Sequence, residues 1–497
     1  MALDPLPLSF NMAAHVLGQA SAAPDKVALT VLGPARAERW SYARIEAAVR
    51  GVATGLLRQG LTPGDRVMLR LGNTPDFPIC FLACIAVDLI PVPTSAQLTA
   101  REATALAKAL MPAAIIADED VSRPDHPAPV LTASQTRSFH DLPPADYAMG
   151  DPNRAAYIVF TSGTSGFPRG VVHAHRAIWA RRSMVDGWYG LTAEDRVLHA
   201  GAFNWTYTLG TGLMDPWTTG ATALIPAQGT AATMLPLLMK RHDVSIFAAA
   251  PGVYRQLLKS PFAPCPKLRH GLSAGEKLPD TTRTAWEAAT GTPIFEAYGM
   301  SECSTFLSGS PTNPAAPGTL GRPQPGRTVA LLSDGSEADH GEIAVHRDDP
   351  GLMLGYLDAP DETAARFDGP WFKTGDIGTR TDSGDIRYEG RTDDMMNAGG
   401  YRVSPIEVEA ALALHPAIAE AAAVELPVKA DASIIAAFYV SDNVIDEGEL
   451  AAHAATHLAR YKAPRLYARV DALPRGANNK LLRRRLRDDW KAQNGQT

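Results

Sequence analysis

The densest group of chemically useful side chains lies in FTSGTSGFPRG, residues 160–170. This segment combines glycines with serine and threonine hydroxyls, and it ends with Arg169 and Gly170. Backbone N–H groups and hydroxyls in a glycine-rich loop form a concave surface that suits phosphate oxygens, and an arginine adds positive charge. The GK[ST] ending of a Walker loop is absent. The segment is therefore either a different kind of phosphate loop, placed between a buried strand and a helix, or a mobile surface turn.

Five further short segments follow the loop along the chain. They are SAGEKLP (273–279), EAYGMSE (296–302), WFKTGDIG (371–378), YEGRTDDMMNAGGYRVSPIEVE (388–409) and LPRGANNKLLRR (473–484). With the loop, they resemble the ordered motifs of the adenylate-forming enzymes: the acyl-CoA synthetases, the luciferases and the adenylation domains of peptide synthetases. The resemblance covers essentially the whole chain and is strongest to benzoate-type and medium-chain acyl-CoA ligases.

The resemblance implies a two-step reaction. Family members attach AMP to a carboxylic acid with release of pyrophosphate, and the thiol of CoA then displaces AMP. ATP, Mg²⁺ and CoA are the cofactors and co-substrates that this implies, and the activity is that of an AMP-forming acid–thiol ligase. Because an anionic carboxylate must approach an anionic triphosphate, catalysis would depend on positioning and charge neutralisation.

The resemblance also implies a role for each matching residue. The phosphate-binding residues are Thr161, Ser162, Gly163, Thr164, Ser165, Gly166 and Arg169. The residues around adenine and AMP are Gly275, Glu276, Lys277, Glu296, Ala297, Tyr298 and Gly299. Ser301 would reach the α-phosphate, Glu302 would hold Mg²⁺, which prefers oxygen ligands, and Asp376 would bind the ribose hydroxyls.

The last quarter of the chain would serve both steps in turn. In the first step Lys480 would bridge the carboxylate and the α-phosphate, with Arg391 and Ser301 as further catalytic residues. Asp393 matches the hinge about which the C-terminal domain rotates. Rotation would bring a CoA-binding segment, Gly399, Gly400 and Tyr401, to the site, and Arg402 would face ATP phosphates or CoA. Without the family, Lys480 is one more cation in a basic terminal helix, predicted within residues 479–490.

Two residues depart from the family pattern. Arg169 stands where lysine is usual; its planar guanidinium keeps the charge but changes the phosphate contact. Asn479 precedes Lys480 where glycine is usual, and asparagine tolerates unusual backbone angles more readily than most residues. We predict that Lys480 remains functional.

The pocket for the acid is expected beneath the adenylate. Its predicted walls are Phe203, Trp205 and Tyr207, together with Ser273, Ala274 and Gly299. Such walls suit an apolar or aromatic acid of modest size, and the same rings would also fit a protein core. Three other reactive side chains are predicted to have structural roles. His173 and His175 are expected to support the fold or the loop, and Cys303 is expected to pack near the pocket.

Composition limits the alternatives. The chain has 497 residues, of which 45% are hydrophobic and 20% charged, a soluble globular profile that is too long for one ordinary core. The net charge of −6 argues against nucleic-acid binding. Four scattered cysteines predict reduced thiols in the cytoplasm, and an N-terminus without Lys or Arg before Lys26 predicts no secretory signal. The longest apolar run, residues 77–93, is interrupted by Asp88 and three prolines, so no membrane insertion is expected.

The order of apolar runs and helical patterns predicts an α/β fold with parallel strands. We expect a large N-terminal domain, residues 1–391, made of α/β subdomains and a β-rich subdomain near 320–390. A hinge at 392–394 would join it to a small mobile α+β C-terminal domain, residues 395–497. Residues 76–88 and 171–188 are predicted helices. The predicted strands include residues 66–71, 89–93, 113–117, 155–162, 244–250 and 292–299.

Other functions stay open at this point. The chain could be a free-standing adenylation enzyme that loads a separate carrier protein, or a luciferase-like oxidase. A non-catalytic nucleotide-binding regulatory protein is an alternative of another class. The oligomeric state is also open, and a homodimer is among the states that the sequence allows.

Overall fold

The protein is described by a computed structural model that covers residues 5–33, 36–161, 169–259, 262, 264–392, 394–398, 401–429, 432–476 and 481–494. The chain divides into two compact units: the first contains residues 1–328 and 345–372, and the second contains residues 329–344 and 373–497. Asp393 lies outside the described residues, and the predicted boundary at 392–394 stays a prediction.

The first part of the first unit covers residues 12–180. Its elements are α1 (Met12–Val16), β1 (Val27–Leu32), β2 (Ala37–Ser41), α2 (Tyr42–Arg58), β3 (Arg66–Arg70), α3 (Asp76–Ala86), β4 (Ile90–Pro93), α4 (Ala100–Leu110), β5 (Ala114–Ala117), β6 (Val130–Thr132), α5 (Ala133–Arg137), β7 (Ala155–Thr161), β8 (Arg169–Ala174) and α6 (Ala177–Ala180).

The next part contains most of the main sheet. Its elements are a π-helix (Val185–Tyr189), β9 (Arg196–His199), α7 (Thr206–Leu209), a π-helix (Gly210–Met214), α8 (Asp215–Thr219), β10 (Thr222–Pro226), a 3₁₀ turn (Ala232–Met234), α9 (Leu235–Arg241), β11 (Ile246–Ala249), α10 (Pro251–Leu257), β12 (His270–Ala274), α11 (Asp280–Thr290), β13 (Ile294–Met300), β14 (Ser304–Ser308) and β15 (Arg322–Pro323).

The remaining elements begin with short strands and end in a terminal helix. They are β16 (Val329–Ser333), β17 (Ser336–Glu337), β18 (His340–His346), β19 (Gly355–Tyr356), α12 (Pro360–Ala364), β20 (Phe367–Asp368), β21 (Trp371–Arg380), β22 (Ile386–Arg391), β23 (Met396–Ala398), β24 (Tyr401–Val403), α13 (Pro405–Leu412), β25 (Glu420–Lys429), β26 (Ala432–Val440), α14 (Glu447–His457), β27 (Leu466–Arg469) and α15 (Arg483–Asn494).

Two sheets of the first unit confirm the predicted parallel architecture. The order β15-β14-β13-β12-β11-β9-β10-β1-β2 forms one sheet, whose central strands from β13 to β1 are parallel. The order β4-β3-β5-β6 forms a second, entirely parallel sheet. Strands covered on both faces read as continuous apolar runs, as residues 67–69 do. Helix α3 is buried along its whole length, which explains why it is apolar on every face.

The prediction of a helix at 171–188 is wrong in its first part. Residues Arg169–Ala174 form strand β8, which pairs antiparallel with β7 and, on its other side, with β19. The adjacent Val171 and Val172 favour a strand because their branched side chains restrict χ1, and both positions find partners in the sheet. Helical structure begins only at Ala177.

The second unit is rich in short strands, as predicted for residues 320–390. Strands β17, β16, β18 and β21 are neighbours in that order, and β22 pairs with β21. The remainder is α+β: the sheet β25-β26-β27 packs with α13 and α14 around a separate apolar core. Helix α13 begins where Ser404 accepts a hydrogen bond from the Glu407 N–H and Pro405 occupies the first turn, a favourable N-terminus.

Candidate active site

The predicted phosphate loop is carried by a hairpin rather than by a strand and a helix. Thr161 at the end of β7 is paired with Arg169 at the start of β8. Ser162, Gly163, Thr164, Ser165 and Gly166 lie outside the described residues. The expected strand-to-helix setting is therefore wrong: the segment that follows the loop is a strand, so it offers no helix N-terminus to a phosphate.

Arg169 is held by two neighbours that the sequence did not single out. Its Nε lies 2.7 Å from Glu362 Oε2 in an ion pair, and its guanidinium carbon lies 5.4 Å from the ring centroid of Tyr356. Glu362 belongs to α12 and Tyr356 to β19, which pairs with β8. The cation at the base of the loop thus has an oriented position.

Glu302, the predicted Mg²⁺ ligand, lies in the turn between β13 and β14. Its Oε1 accepts a hydrogen bond of 2.7 Å from the Tyr356 hydroxyl, and its backbone carbonyl accepts one of 2.7 Å from Met353 N–H. Tyr356 therefore contacts both Glu302 and Arg169, which are far apart in sequence. The structure brings the loop arginine and the predicted metal carboxylate to the same tyrosine.

Ser301 is fixed by a buried histidine. His173 Nε2 donates to the Ser301 carbonyl at 2.7 Å, and the imidazole stacks on Tyr157 at 4.8 Å between ring centroids. Burial lowers the pKa of His173 to about 4. His175 is also buried and its Nδ1 accepts from Met12 N–H at 3.0 Å, so these contacts support the structural role predicted for both histidines.

The predicted adenine segment contains a glycine with a left-handed backbone conformation. Gly275 has φ of +95°, and a Cβ at that position would lie 2.8 Å from Trp205 Cζ2. Lys277 Nζ donates to the Gly318 carbonyl at 3.3 Å. Glycine is required here both for the backbone angle and for the close approach of the indole.

Glu296 ties this segment to strand β13. Its Oε1 accepts from Leu278 N–H at 2.9 Å, and its Oε2 pairs with Arg283 at 3.1 Å. Burial raises the pKa of the carboxyl group, and the nearby Lys277 opposes that rise. The observed contacts make Glu296 a support of the adenine segment.

Neighbouring strands hold the other residues predicted around AMP. Ala274 and Ala297 are register partners in β12 and β13 and are both buried. The Tyr298 ring meets Phe306 edge-on at 5.3 Å between centroids. Gly299 permits the close approach of β13 and β14, because a Cβ there would clash with the Ser304 backbone.

The predicted acid-pocket aromatics divide into two groups. Trp205 and Tyr207 meet edge-on at 5.1 Å, and the Tyr207 hydroxyl donates to the Leu272 carbonyl at 3.0 Å. Phe203 instead stacks on Phe77 at 5.3 Å and is almost fully buried. Trp205 and Tyr207 therefore lie beside the adenine segment, whereas Phe203 packs in another aromatic group.

Three buried side chains in β9, α7 and β12 each have a polar atom that lacks a hydrogen-bond partner among the described residues. Within the described part of the chain, His199 Nε2, Thr208 Oγ1 and Ser273 Oγ are buried without a hydrogen-bond partner. The imidazole of His199 meets the Tyr207 ring edge-on at 4.4 Å, and burial lowers its pKa to about 3. A neutral histidine and a threonine hydroxyl thus add hydrogen-bonding capacity to a mainly aromatic region.

The second unit holds its own part of the predicted site. Asp376 and Arg391 are cross-strand partners, with Asp376 Oδ2 3.8 Å from Arg391 Nη1. Tyr388 donates to Asp376 Oδ1 at 3.1 Å. Asp376 is buried and held by a cation and a hydroxyl, which gives it the fixed orientation that recognition of ribose requires.

The structure describes only the surroundings of the predicted C-terminal residues. Lys480 and the CoA-binding glycines, Gly399 and Gly400, lie outside the described residues. Tyr401 and Arg402 lie in β24, where they pair with Ala398 and Asn397 of β23.

The predicted basic helix around Lys480 starts later than the sequence suggested. Helix α15 begins at Arg483, and Leu481 forms a β-bridge with Arg475 instead. Arg483 is anchored to Glu409 by contacts of 2.9 and 2.7 Å.

Several supporting residues were missed because their signals are tertiary. Tyr356, Glu362 and Tyr388 are ordinary polar residues in their local sequence, and each matters through a partner distant in the chain. Cys303 was predicted correctly to pack: it is buried, and its thiol lies 3.0 Å from an Arg327 nitrogen.

The described residues contain neither a preformed metal cluster nor a membrane-spanning helix. No group of three or more His, Cys, Asp or Glu side chains in the described ranges is placed to hold a metal ion. Equally, none of the helices in those ranges has the length and apolarity needed to cross a membrane.

The fold and its motifs define a family. The chain belongs to the AMP-binding enzymes: residues 17–357 match the family model for the AMP-binding enzyme, and residues 407–480 match the model for its C-terminal domain. The resemblance read from the motifs and the predicted fold class, a large α/β N-terminal domain with a small C-terminal domain, are both confirmed.

Particular relatives include known ligases. Benzoate–CoA ligase of Thauera aromatica is 31% identical over 86% of this chain and 86% of its own length. The human mitochondrial acyl-coenzyme A synthetase ACSM2A is 28% identical over 98% of this chain and 92% of its own length. The crystal structure of a benzoate CoA ligase from Burkholderia xenovorans LB400 superposes with a TM-score of 0.84 at 27% identity, covering 96% and 100% of the two chains.

Proposed function

We propose that this protein is an AMP-forming acid–CoA ligase for a small apolar or aromatic carboxylic acid. The carboxylate attacks the α-phosphorus of ATP, which forms the acyl-adenylate and releases pyrophosphate. The thiol of CoA then attacks the acyl carbon, the bond to AMP breaks, and the thioester and AMP are released. Two relatives named as CoA ligases or synthetases support the choice of CoA as the acceptor.

One observation carries the proposal most directly. Tyr356 contacts both Arg169 and Glu302, so the base of the phosphate loop and the EAYGMSE motif meet at one point of the first unit. A triphosphate that reaches Arg169 would lie within reach of a carboxylate suited to a divalent cation. That is the charge arrangement required for attack of one anion on another.

Mg²⁺ fits the residues present. Glu302 offers a hard carboxylate oxygen, and Mg²⁺ in nucleotide sites commonly takes one or two protein carboxylates and completes its shell with phosphate and water. When bound, Mg²⁺ would neutralise phosphate charge, and Glu302 would hold it. Arg169 would add a second positive charge by exchanging its ion pair with Glu362 for a phosphate contact.

The remaining roles are proposed on the family resemblance and the local contacts. Asp376, oriented by Tyr388 and Arg391, would bind the ribose hydroxyls. Lys480 would bridge the carboxylate and the α-phosphate, and rotation about Asp393 would replace it with the Gly399–Gly400 segment for the CoA step.

Three buried thiols, Cys80, Cys84 and Cys303, support a reducing, cytoplasmic location.

The side chains around Tyr207 limit the class of carboxylic acid that we propose as the substrate. Trp205 and Tyr207 favour an aromatic or compact apolar acid, and the unpaired polar atoms of His199 and Thr208 favour one with a polar substituent.

A panel of acids tests the function. Benzoate, hydroxybenzoates, aminobenzoates and short aliphatic acids are each incubated with ATP and Mg²⁺, with and without CoA, and pyrophosphate, AMP and thioester are measured. We expect thioester from at least one monocarboxylic acid, with AMP release that depends on CoA. Pyrophosphate release with thioester formed only on an added carrier protein would indicate a loading enzyme. ATP binding without any turnover would indicate a regulatory protein.

A further inference from the structure

We propose that Tyr356 is a positioning residue that fixes the Glu302 carboxylate for the magnesium–nucleotide complex. The inference rests on the proposed function and adds to it a residue outside the nucleotide motifs. Tyr356 lies in β19, far in sequence from the phosphate loop and from EAYGMSE, yet it touches residues of both.

The backbone around Tyr356 is fixed from several directions. Its N–H donates to Thr363 Oγ1 at 2.9 Å, and the next residue, Leu357, donates to the Gly170 carbonyl at 2.7 Å. Tyr356 is also the register partner of Val171 in β8. The ring is 7% exposed, so its hydroxyl has a defined position with respect to the hairpin that carries the phosphate loop.

Glu302, by contrast, lies in a tight turn. Ser304, two residues further on, has φ of +62°, and the Glu302 carbonyl is held by Met353 N–H. A glutamate side chain on a turn has several rotamers, and the 2.7 Å hydrogen bond from Tyr356 selects one of them. Tyr356 thereby removes conformational freedom that metal binding would otherwise have to remove.

The geometry makes Tyr356 the donor. Its hydroxyl lies 2.7 Å from Glu302 Oε1, and a carboxylate oxygen can only accept, so the phenol donates in this contact. Arg169 lies against the ring itself, 5.4 Å from its centroid, and not in the hydroxyl contact. Removal of the hydroxyl alone should therefore affect Glu302 and spare the surface on which Arg169 rests.

Tyr356→Phe tests the proposal through ATP binding rather than turnover. ATP affinity is measured by calorimetry on the full chain, once with Mg²⁺ and once with EDTA. We expect the Kd for ATP to rise about tenfold with Mg²⁺, the scale of one hydrogen bond to a charged group. With EDTA it should change less than about twofold, because no metal then depends on Glu302.

Tyr42→Phe is the matched control. Tyr42 is also fully buried, and its hydroxyl donates at 2.7 Å to the Ala221 carbonyl, away from Glu302. This variant reports the general effect of losing one buried tyrosine hydroxyl. We expect similar melting temperatures for the two variants, with the magnesium-specific loss confined to Tyr356→Phe.

Glu302→Gln supplies a second check. If Tyr356 acts through Glu302, adding Tyr356→Phe to Glu302→Gln should cause no further loss of ATP affinity with Mg²⁺. An equal loss with Mg²⁺ and with EDTA, or full additivity of the two substitutions, would overturn the positioning role. These measurements need ATP but no carboxylic acid. Failure of the proposed ligase activity in the acid panel can therefore be distinguished from failure of the Tyr356 role alone.

Discussion

The indole of Trp205 packs against the backbone of Gly275, so that a Cβ at position 275 would lie 2.8 Å from Trp205 Cζ2. This contact joins a predicted wall of the acid pocket to the start of the predicted adenine segment. An acid and a nucleotide bound on either side would therefore influence each other through one aromatic ring.

Gly275→Ala should weaken the binding of both ATP and the acid. The methyl group would push the Trp205 ring away, and alanine is strained at φ of +95°. We expect a loss of roughly 1–3 kcal/mol in the free energy of unfolding and higher KM values for ATP and for the acid. Gly291→Ala is the control, since Gly291 has φ of +71° but open space around its Cα. Equal effects in the two variants would mean that backbone strain alone matters and that the Trp205 contact does not.

Asp376→Asn should weaken the nucleotide interaction. The substitution keeps the shape but removes the charge that Tyr388 and Arg391 hold in place. We expect kcat/KM for ATP in pyrophosphate release to fall by about tenfold or more, the scale of a hydrogen bond to a charged group. Asp339→Asn, at an exposed carboxylate of the same unit, should leave this value unchanged. A normal ATP dependence in Asp376→Asn would count against ribose binding.

Lys480→Ala should separate the two half-reactions. We expect adenylate formation to be abolished, while thioester formation from supplied acyl-adenylate and CoA continues, because only the first step brings two anions together. Lys462→Ala removes another lysine of the C-terminal region, one that pairs with Glu407 at 2.6 Å, and should affect neither step. Equal damage to both half-reactions in Lys480→Ala would contradict the assigned role.

Buried histidines predict lower stability in mild acid. Burial lowers the pKa of His270 to about 4, below the value of roughly 6.5 for an unfolded chain. The contribution of His270 to the free energy of unfolding is complete above pH 6.5. It is lost as the pH falls toward 4, because in that range only the unfolded state takes up the proton. Removing His270 should reduce the difference in unfolding free energy between pH 7.5 and pH 5 by about 2 kcal/mol.

Urea titrations of His270→Gln at the two pH values measure this effect. His457→Gln, at an exposed histidine, serves as the comparison and should keep the wild-type pH dependence. A pH dependence that is identical in His270→Gln and the wild-type protein would show that His270 is not the titrating group.

Local sequence was sufficient where burial and pattern agreed. Residues 67–69 are continuously apolar and form part of a covered parallel strand, and the apolar helix at Asp76–Ala86 is enclosed on all sides. The residues proposed to bind phosphate and metal could be named from the sequence because their motifs are short and contiguous. The prediction fails at residues 171–174, the expected start of a helix, because pairing with β7 and β19 makes these residues a strand.

The supports of the site could not be read from the sequence. Tyr356 matters because β19 adds to the hairpin and places its hydroxyl on Glu302, a relationship that no spacing along the chain encodes. Tyr388 likewise acquires its role from the cross-strand neighbourhood of Asp376. Such residues are recognised only after strands distant in sequence have been paired.

The hairpin formed by β7 and β8 has a consequence for how the chain can be cut and rejoined. Thr161 and Arg169 are paired residues of β7 and β8. The hydrogen bonds between these two strands therefore do not require a continuous peptide between residues 161 and 169. A nick within residues 162–168 should leave both new ends docked on the same sheet. A circular permutant opened there, or a reporter domain inserted there, is expected to fold; under the proposed function it should bind ATP more weakly.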